Sequence, residues 1–283
     1  MHDRLVWRVG DVELDCGDRT LIMGILNVTP DSFSDGGMYF GERTAIDRGV
    51  TMVDEGADIV DVGGESTRPG SDQVSVQEEL DRVVPVIERL TAHVPVPISI
   101  DTRKPEVARA ALAVGATIVN DVSAGADPAM FDVVRESDAG MVLMHMKGEP
   151  KTMQESPRYD DVVAEVKEFL RERIEAAGLA GVDTDRLAVD PGIGFGKDLD
   201  HNLTILARVR DLLDLGRPLV VGPSRKRFIG ALLDDAPVEA RFEGTAAAVA
   251  WLVASGAHIV RIHDVWEISR VVRVVDAIVR AGR

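Results

Sequence analysis

The chain has 283 residues, 45% of them hydrophobic and 28% charged, and a formal net charge of -16 at pH 7. So acidic a surface repels phosphate backbones, which excludes a general nucleic-acid or anionic-membrane binder. A lone cysteine, Cys16, excludes an intrachain disulfide and a multi-cysteine zinc site.

Residues 4–20 read as a β-hairpin turning at Gly10-Asp11 and covering the N-terminal end of whatever follows. Eight short apolar runs come next, at 21–27, 58–63, 98–101, 117–121, 141–145, 187–190, 219–222 and 259–263. Their nearly unbroken apolar character is that of strands buried on both faces. Helical periodicity fills the gaps. The stretch 76–90 places Val83, Val84, Ile87 and Leu90 on one side, and 162–177 and 265–279 read similarly. Glycines that stop helices precede several strands, as in Glu55-Gly56-Ala57-Asp58 and Ser255-Gly256-Ala257-His258. Eight strands alternating with helices predict an α/β protein of the (βα)8 TIM-barrel class with an N-terminal β-hairpin, one domain over residues 1–283. No run of roughly 18 apolar residues suggests a membrane span. Met1-His2-Asp3-Arg4 lacks the basic-then-apolar pattern of a secretory leader, so a cytoplasmic protein is expected.

In such barrels the chemistry gathers where strands end, and here those positions are polar. The strands run in order into Asn27, Gly63-Gly64-Glu65, Asp101, Asn120-Asp121, Met144-His145, Asp190, Ser224-Arg225-Lys226, and Arg261 with His263. Singly, each Asp or Asn reads as a helix cap and each Arg as a surface ion pair. A polar ligand at the barrel mouth accounts for all of them together, because buried carboxylates and amides need partners. Ionised Asp101 and Asp190 accept, Asn120 donates and accepts, and Lys226 donates. That set suits a flat heterocycle with an amidine-like edge and a carbonyl. Arg261 offers a planar face for an aromatic ring, and Arg261, His263 and Arg68 offer positive charge to phosphate. Ser224-Arg225-Lys226 adds positive charge at the start of a helix. His145 reads equally as a buried histidine or a ligand contact, and 148–157 as a flexible loop.

These residues stand in motifs that resemble the dihydropteroate synthase family. Asn27-Val28-Thr29-Pro30-Asp31-Ser32-Phe33-Ser34-Asp35-Gly36-Gly37 is similar to its first signature loop, and Asp61-Val62-Gly63-Gly64-Glu65-Ser66-Thr67-Arg68-Pro69-Gly70 to its second. Ser99-Ile100-Asp101-Thr102, Asn120-Asp121-Val122, Asp190-Pro191-Gly192-Ile193-Gly194-Phe195-Gly196-Lys197, Ser224-Arg225-Lys226 and Arg261-Ile262-His263-Asp264 follow in the family's order.

The resemblance implies a transferase that condenses 6-hydroxymethyl-7,8-dihydropterin pyrophosphate with 4-aminobenzoate and releases pyrophosphate. It implies that Asp101, Asn120, Met144, Asp190, Gly194, Lys226 and Arg261 bind the pterin. Asn27, Arg68, Arg261 and His263 would meet the pyrophosphate, with Asn27 also at a Mg2+ ion. Phe33, Thr67, Arg68, Pro69, Phe195, Ser224 and Lys226 would border the 4-aminobenzoate. Asp101, Lys226, Asp35 and Arg68 would take part in catalysis. A homodimer through helices near the C-terminus is implied as well. Arg227 stands where many family members carry Ser, and an Arg there can pair with the 4-aminobenzoate carboxylate. Two other readings are a methyltetrahydrofolate–corrinoid methyltransferase and a non-catalytic pterin-binding paralogue. The first is not expected to carry 31–37, 67–70 or Ser224-Arg225-Lys226; the second lacks pyrophosphate release.

Overall fold

The computed structural model describes residues 5–28, 37–65, 74–148 and 152–282, the side chains of 37–41 excepted. The chain opens with an antiparallel hairpin, β1 (Val6–Val9) and β2 (Val12–Asp15), which turns at Gly10-Asp11 as the sequence predicts. Gly10 takes φ +59 there, a conformation that favours glycine.

Eight parallel strands follow: β3 (Leu21–Asn27), β4 (Ile59–Gly63), β5 (Ile98–Asp101), β6 (Ile118–Asp121), β7 (Gly140–Met144), β8 (Leu187–Asp190), β9 (Val220–Val221) and β10 (Ile259–Ile262). Their lateral order is β8-β7-β6-β5-β4-β3-β10-β9. A parallel bridge between Val189 and Leu219 joins the two ends and closes the barrel. The strand predicted at 219–222 is shorter than expected, since Leu219 takes part only through that bridge. Helices α1 (Gly37–Asp54), α2 (Val76–Thr91), α3 (Pro105–Ala113), α4 (Ala129–Ser137), α5 (Val162–Leu179), α6 (Leu199–Ala207), α7 (Arg227–Leu232), α8 (Phe242–Ala254) and α9 (Val265–Ala281) lie between and after the strands.

Helix α2 shows why these segments are helical. Ser75 caps it by accepting from the Glu78 backbone N–H, Glu78 and Glu79 sit in its first turn, and Val83, Val86, Ile87 and Leu90 bury one stripe. Val84, expected in that stripe, is half-buried.

Alternation along the strands sorts their side chains. Val60, Val62, Val119, Leu143, Val260 and Ile262 face outward into the main apolar cluster beneath the helices. Leu21, Met23, Ile59, Ile118, Val142, Ala188, Val220 and Ile259 form a second cluster at the N-terminal end. Trp7, Val9 and Cys16 of the hairpin segment complete that cluster. Trp7 is fully buried, and its Nε1 donates to the Arg186 carbonyl at 2.8 Å. Burial pushes the Cys16 thiol up to about 12.

Candidate functional site

The same period of two that places Ile59, Ile118, Ala188 and Ile259 low in the barrel places Asp61, Asn120, Asp190 and Arg261 one step higher. Strand register levels the upper residues with one another. Asn27 stands opposite Gly63, Gly63 opposite Asp101, Asp101 opposite Asn120, and Met144 opposite Asp190. A small pocket opens there, and Asp101, Asn120, Met144, Asp190, Phe195, Lys226 and Arg261 are among the residues that line it.

Beneath the pocket lies a charged network. Arg261 donates through Nε to Asp61 Oδ2 at 2.6 Å and through Nη2 to Asp101 Oδ2 at 2.5 Å. Asp61 Oδ2 also accepts from Asn120 Nδ2 at 3.1 Å. The guanidinium expected to face ligand is thus fixed between two carboxylates, which leaves its planar faces for stacking. Asp61, fully buried, was not among the residues expected at the site. A carboxylate midway along an otherwise apolar strand was the signal for it, but its partner lies 200 positions away in the chain.

Asp101 and Asp190 are both buried, and burial raises both acids, Asp101 to about 7 against the pull of Arg261. Asp190 Oδ1 accepts the Gly192 N–H at 2.7 Å. Among the described residues, Asp61 Oδ1 and Asp101 Oδ1 are buried without a hydrogen-bond partner. Orphaned acceptors of this kind each carry a desolvation penalty of about 1–3 kcal/mol. N–H donors of a ligand would relieve it. Lys226 stands at the N-cap position of α7 and lies with Nζ 4.1 Å from the centroid of the Phe195 ring, a cation–π contact that joins a polar and an apolar wall. A Cβ at Gly194 would lie 3.2 Å from Lys226 Cδ, so glycine lets the loop approach the lysine.

Asn27, Ser224 and His263 stand outside that lining. Ser224 Oγ lies 2.9 Å from His263 Nδ1 and accepts the His263 N–H at 3.2 Å. Asn27 sits near the network, since a Cβ built at Gly63 would lie 3.8 Å from its Oδ1 and 3.7 Å from Asp101 Oδ2. Arg225, counted as rim charge in the sequence, instead forms a two-pronged ion pair with Asp264. His145 points away from the pocket, onto Lys197. Phe33, Asp35, Thr67, Arg68 and Pro69 lie outside the described residues. The described part of the loop expected to be flexible packs on the site, with Met153 buried and Gln154 Nε2 donating to the Gly194 carbonyl at 2.7 Å.

The pterin binding enzyme family matches this chain over residues 23–263. The chain belongs to that family. It is 48% identical over 260 residues to the dihydropteroate synthase of Escherichia coli strain K12, covering 92% of each. It superposes with a TM-score of 0.91 on the Xanthomonas albilineans dihydropteroate synthase solved with 4-aminobenzoic acid, at 47% identity over 97% of this chain and 98% of that one. The same enzyme solved with 7,8-dihydropteroate gives a TM-score of 0.86 at 45% identity, over 96% and 98% of the two chains. Among the described residues no cluster of three or more His, Cys, Asp or Glu could hold a metal ion.

Proposed function

We propose that this member of the pterin-binding family is a transferase that joins the methylene carbon of 6-hydroxymethyl-7,8-dihydropterin pyrophosphate to the amine of 4-aminobenzoate, giving 7,8-dihydropteroate and pyrophosphate. The observation that carries the reading is the convergence of Asp101, Asn120, Asp190, Lys226 and Arg261 on one small pocket at the barrel mouth. Relatives alike over nearly their whole length are dihydropteroate synthases.

In this reading Asp190 and Asn120 pair with the pterin's N–H edge, and Lys226 donates to its carbonyl. Arg261, held from below by Asp61 and Asp101, supplies a flat cationic face for the ring. The carbon–oxygen bond to the diphosphate breaks first, and the leaving group departs with the electron pair. Positive charge then spreads over the pterin, where Asp101 and its buried neighbours favour it. The amine attacks this carbon and sheds a proton to the diphosphate or solvent. His263, with Ser224 on its Nδ1, and Arg68 hold the departing pyrophosphate, while Phe195, Phe33, Thr67 and Pro69 wall the second substrate. Asp35 and Arg68 complete the site from the loops after β3 and β4.

The neutral amide oxygen of Asn27 would suit a Mg2+ brought in on the diphosphate. Bound there, the ion would neutralise leaving-group charge. A homodimer belongs to the same reading. Trp266, Val274 and Ile278 follow one another on α9 and are more than half exposed, as is Trp251 on the adjoining α8. A cytoplasmic location completes it.

The test is pyrophosphate release by the purified protein. Release that requires both substrates supports the reading. Release without 4-aminobenzoate, or none with both, overturns it. Lys226→Ala and Asp190→Ala should abolish pterin binding with the fold intact.

A further inference from the structure

The loop between β8 and α6, residues 191–198, carries Phe195 to the pocket, and several of its backbone groups are held by side chains. Asn202 Oδ1 accepts the Gly194 N–H at 2.7 Å, Gln154 holds the Gly194 carbonyl, and Tyr159 OH donates to the Gly196 carbonyl at 2.8 Å. At the centre sits Lys197, only 2% exposed. Its Nζ donates to the carbonyls of Gly192 and Phe195, each at 2.9 Å, and lies 2.9 Å from His145 Nδ1. Among the described residues no carboxylate pairs with it. Burial lowers the Lys197 ammonium to about 7, and its hydrogen-bonding capacity is spent on the loop and on His145.

We propose that Lys197 and His145 are positioning residues that together set the Phe195 wall of the pocket. They act through the loop and do not touch substrate. His145 directly follows β7, and its ring is braced edge-on by Phe169, with centroids 4.9 Å apart and planes at 88°. The ring therefore offers a fixed acceptor to Lys197. Burial and the neighbouring Lys197 push His145 down to about 2, so the ring is neutral, and in the tautomer protonated at Nε2 its Nδ1 accepts from Lys197. Lys197 in turn fixes the two carbonyls that bracket Ile193 and Gly194. Contact between the loop and the segment after β7 is close: a Cβ at Gly192 would collide with the His145 carbonyl oxygen, and one at Gly196 with the Lys147 carbonyl oxygen. A shift of the Phe195 carbonyl would move its ring off Lys226. Asp101, Asn120 and Asp190 project from strands and would stay in place.

This inference rests on the synthase reading, and wild-type pyrophosphate release tests that reading separately. In the full-length active protein, Lys197→Met should raise the KM for 4-aminobenzoate about tenfold while leaving the Kd for the pterin within about twofold, the scale expected of a misplaced wall. His145→Leu removes the acceptor and should act in the same direction. His145→Asn restores an oxygen near the Nδ1 position and should rescue most of the loss. An unchanged KM in a folded Lys197→Met protein overturns the proposal, as does equal weakening of both substrates or an Asn variant as impaired as the Leu variant. If Lys197→Met does not fold, the two His145 variants decide by the same criteria.

Discussion

The two ends of the barrel use the same strands for opposite ends. At the N-terminal end the inward residues are Ile59, Ile118, Ala188 and Ile259, sealed by Trp7 and Val9. Two residues along each strand, some 6–7 Å higher, stand Asp61, Asn120, Asp190 and Arg261. The lower layer buries apolar area and is satisfied internally. The upper layer, with Asp101 beside it, buries charge, keeps acceptors on Asp61 and Asp101 that no described residue meets, and raises the acids Asp101 and Asp190 out of their ordinary range. The contrast teaches that stability and binding can be separated along one strand by a single step of its period.

The comparison breaks most visibly at the plug. Trp7→Ala should lower unfolding free energy by about 4 kcal/mol, read by chemical denaturation, and leave the pterin Kd of the folded fraction unchanged. A large fall in affinity would mean that the two ends are not separable. The mirror substitution comes next. Asp190→Asn keeps an oxygen for the Gly192 N–H but removes the charge, and should weaken pterin binding by about 2–3 kcal/mol. Unliganded stability should stay equal or rise, because a buried charge is lost; calorimetry of both quantities checks this.

Titration sharpens the contrast with a smaller effect. A pterin N–H favours ionised Asp101, so binding expels a proton below about pH 7. Affinity should therefore rise with pH, be about tenfold weaker at pH 6 than on the plateau above 7, and lose this slope in Asp101→Asn. Stability has the opposite sign. The folded-state value is raised, so the group's contribution is full below its unfolded value near 3.8 and is lost as pH rises through about 7. The smallest effect is expected at exposed Arg227. Arg227→Ser should change 4-aminobenzoate affinity by no more than about 1 kcal/mol, an amount that salt erases; titration at two ionic strengths reads it.

Much of this was legible in the sequence because its causes are local. Strands β3, β5 and β8 have the predicted bounds, since apolar runs bounded by helix caps and stops leave little choice. Asp101, Asn120, Asp190 and Lys226 were legible because each ends a strand or starts a helix at the barrel mouth. What escaped depends on partners remote in the chain. Asp61 opened the second signature motif without a role of its own until Arg261 met it across the barrel. Arg225 displayed charge without disclosing that Asp264 takes it. His145 gave no hint of which way its ring turns, which is settled by Phe169 and Lys197.

The sealed hairpin end has a practical consequence. The chain's sole thiol, Cys16, lies inside it and holds its proton far above neutrality. Alkylating reagents attack thiolates, so labelling must wait until the plug swings clear. The labelling rate would then time how often the barrel's floor opens, without any engineered probe.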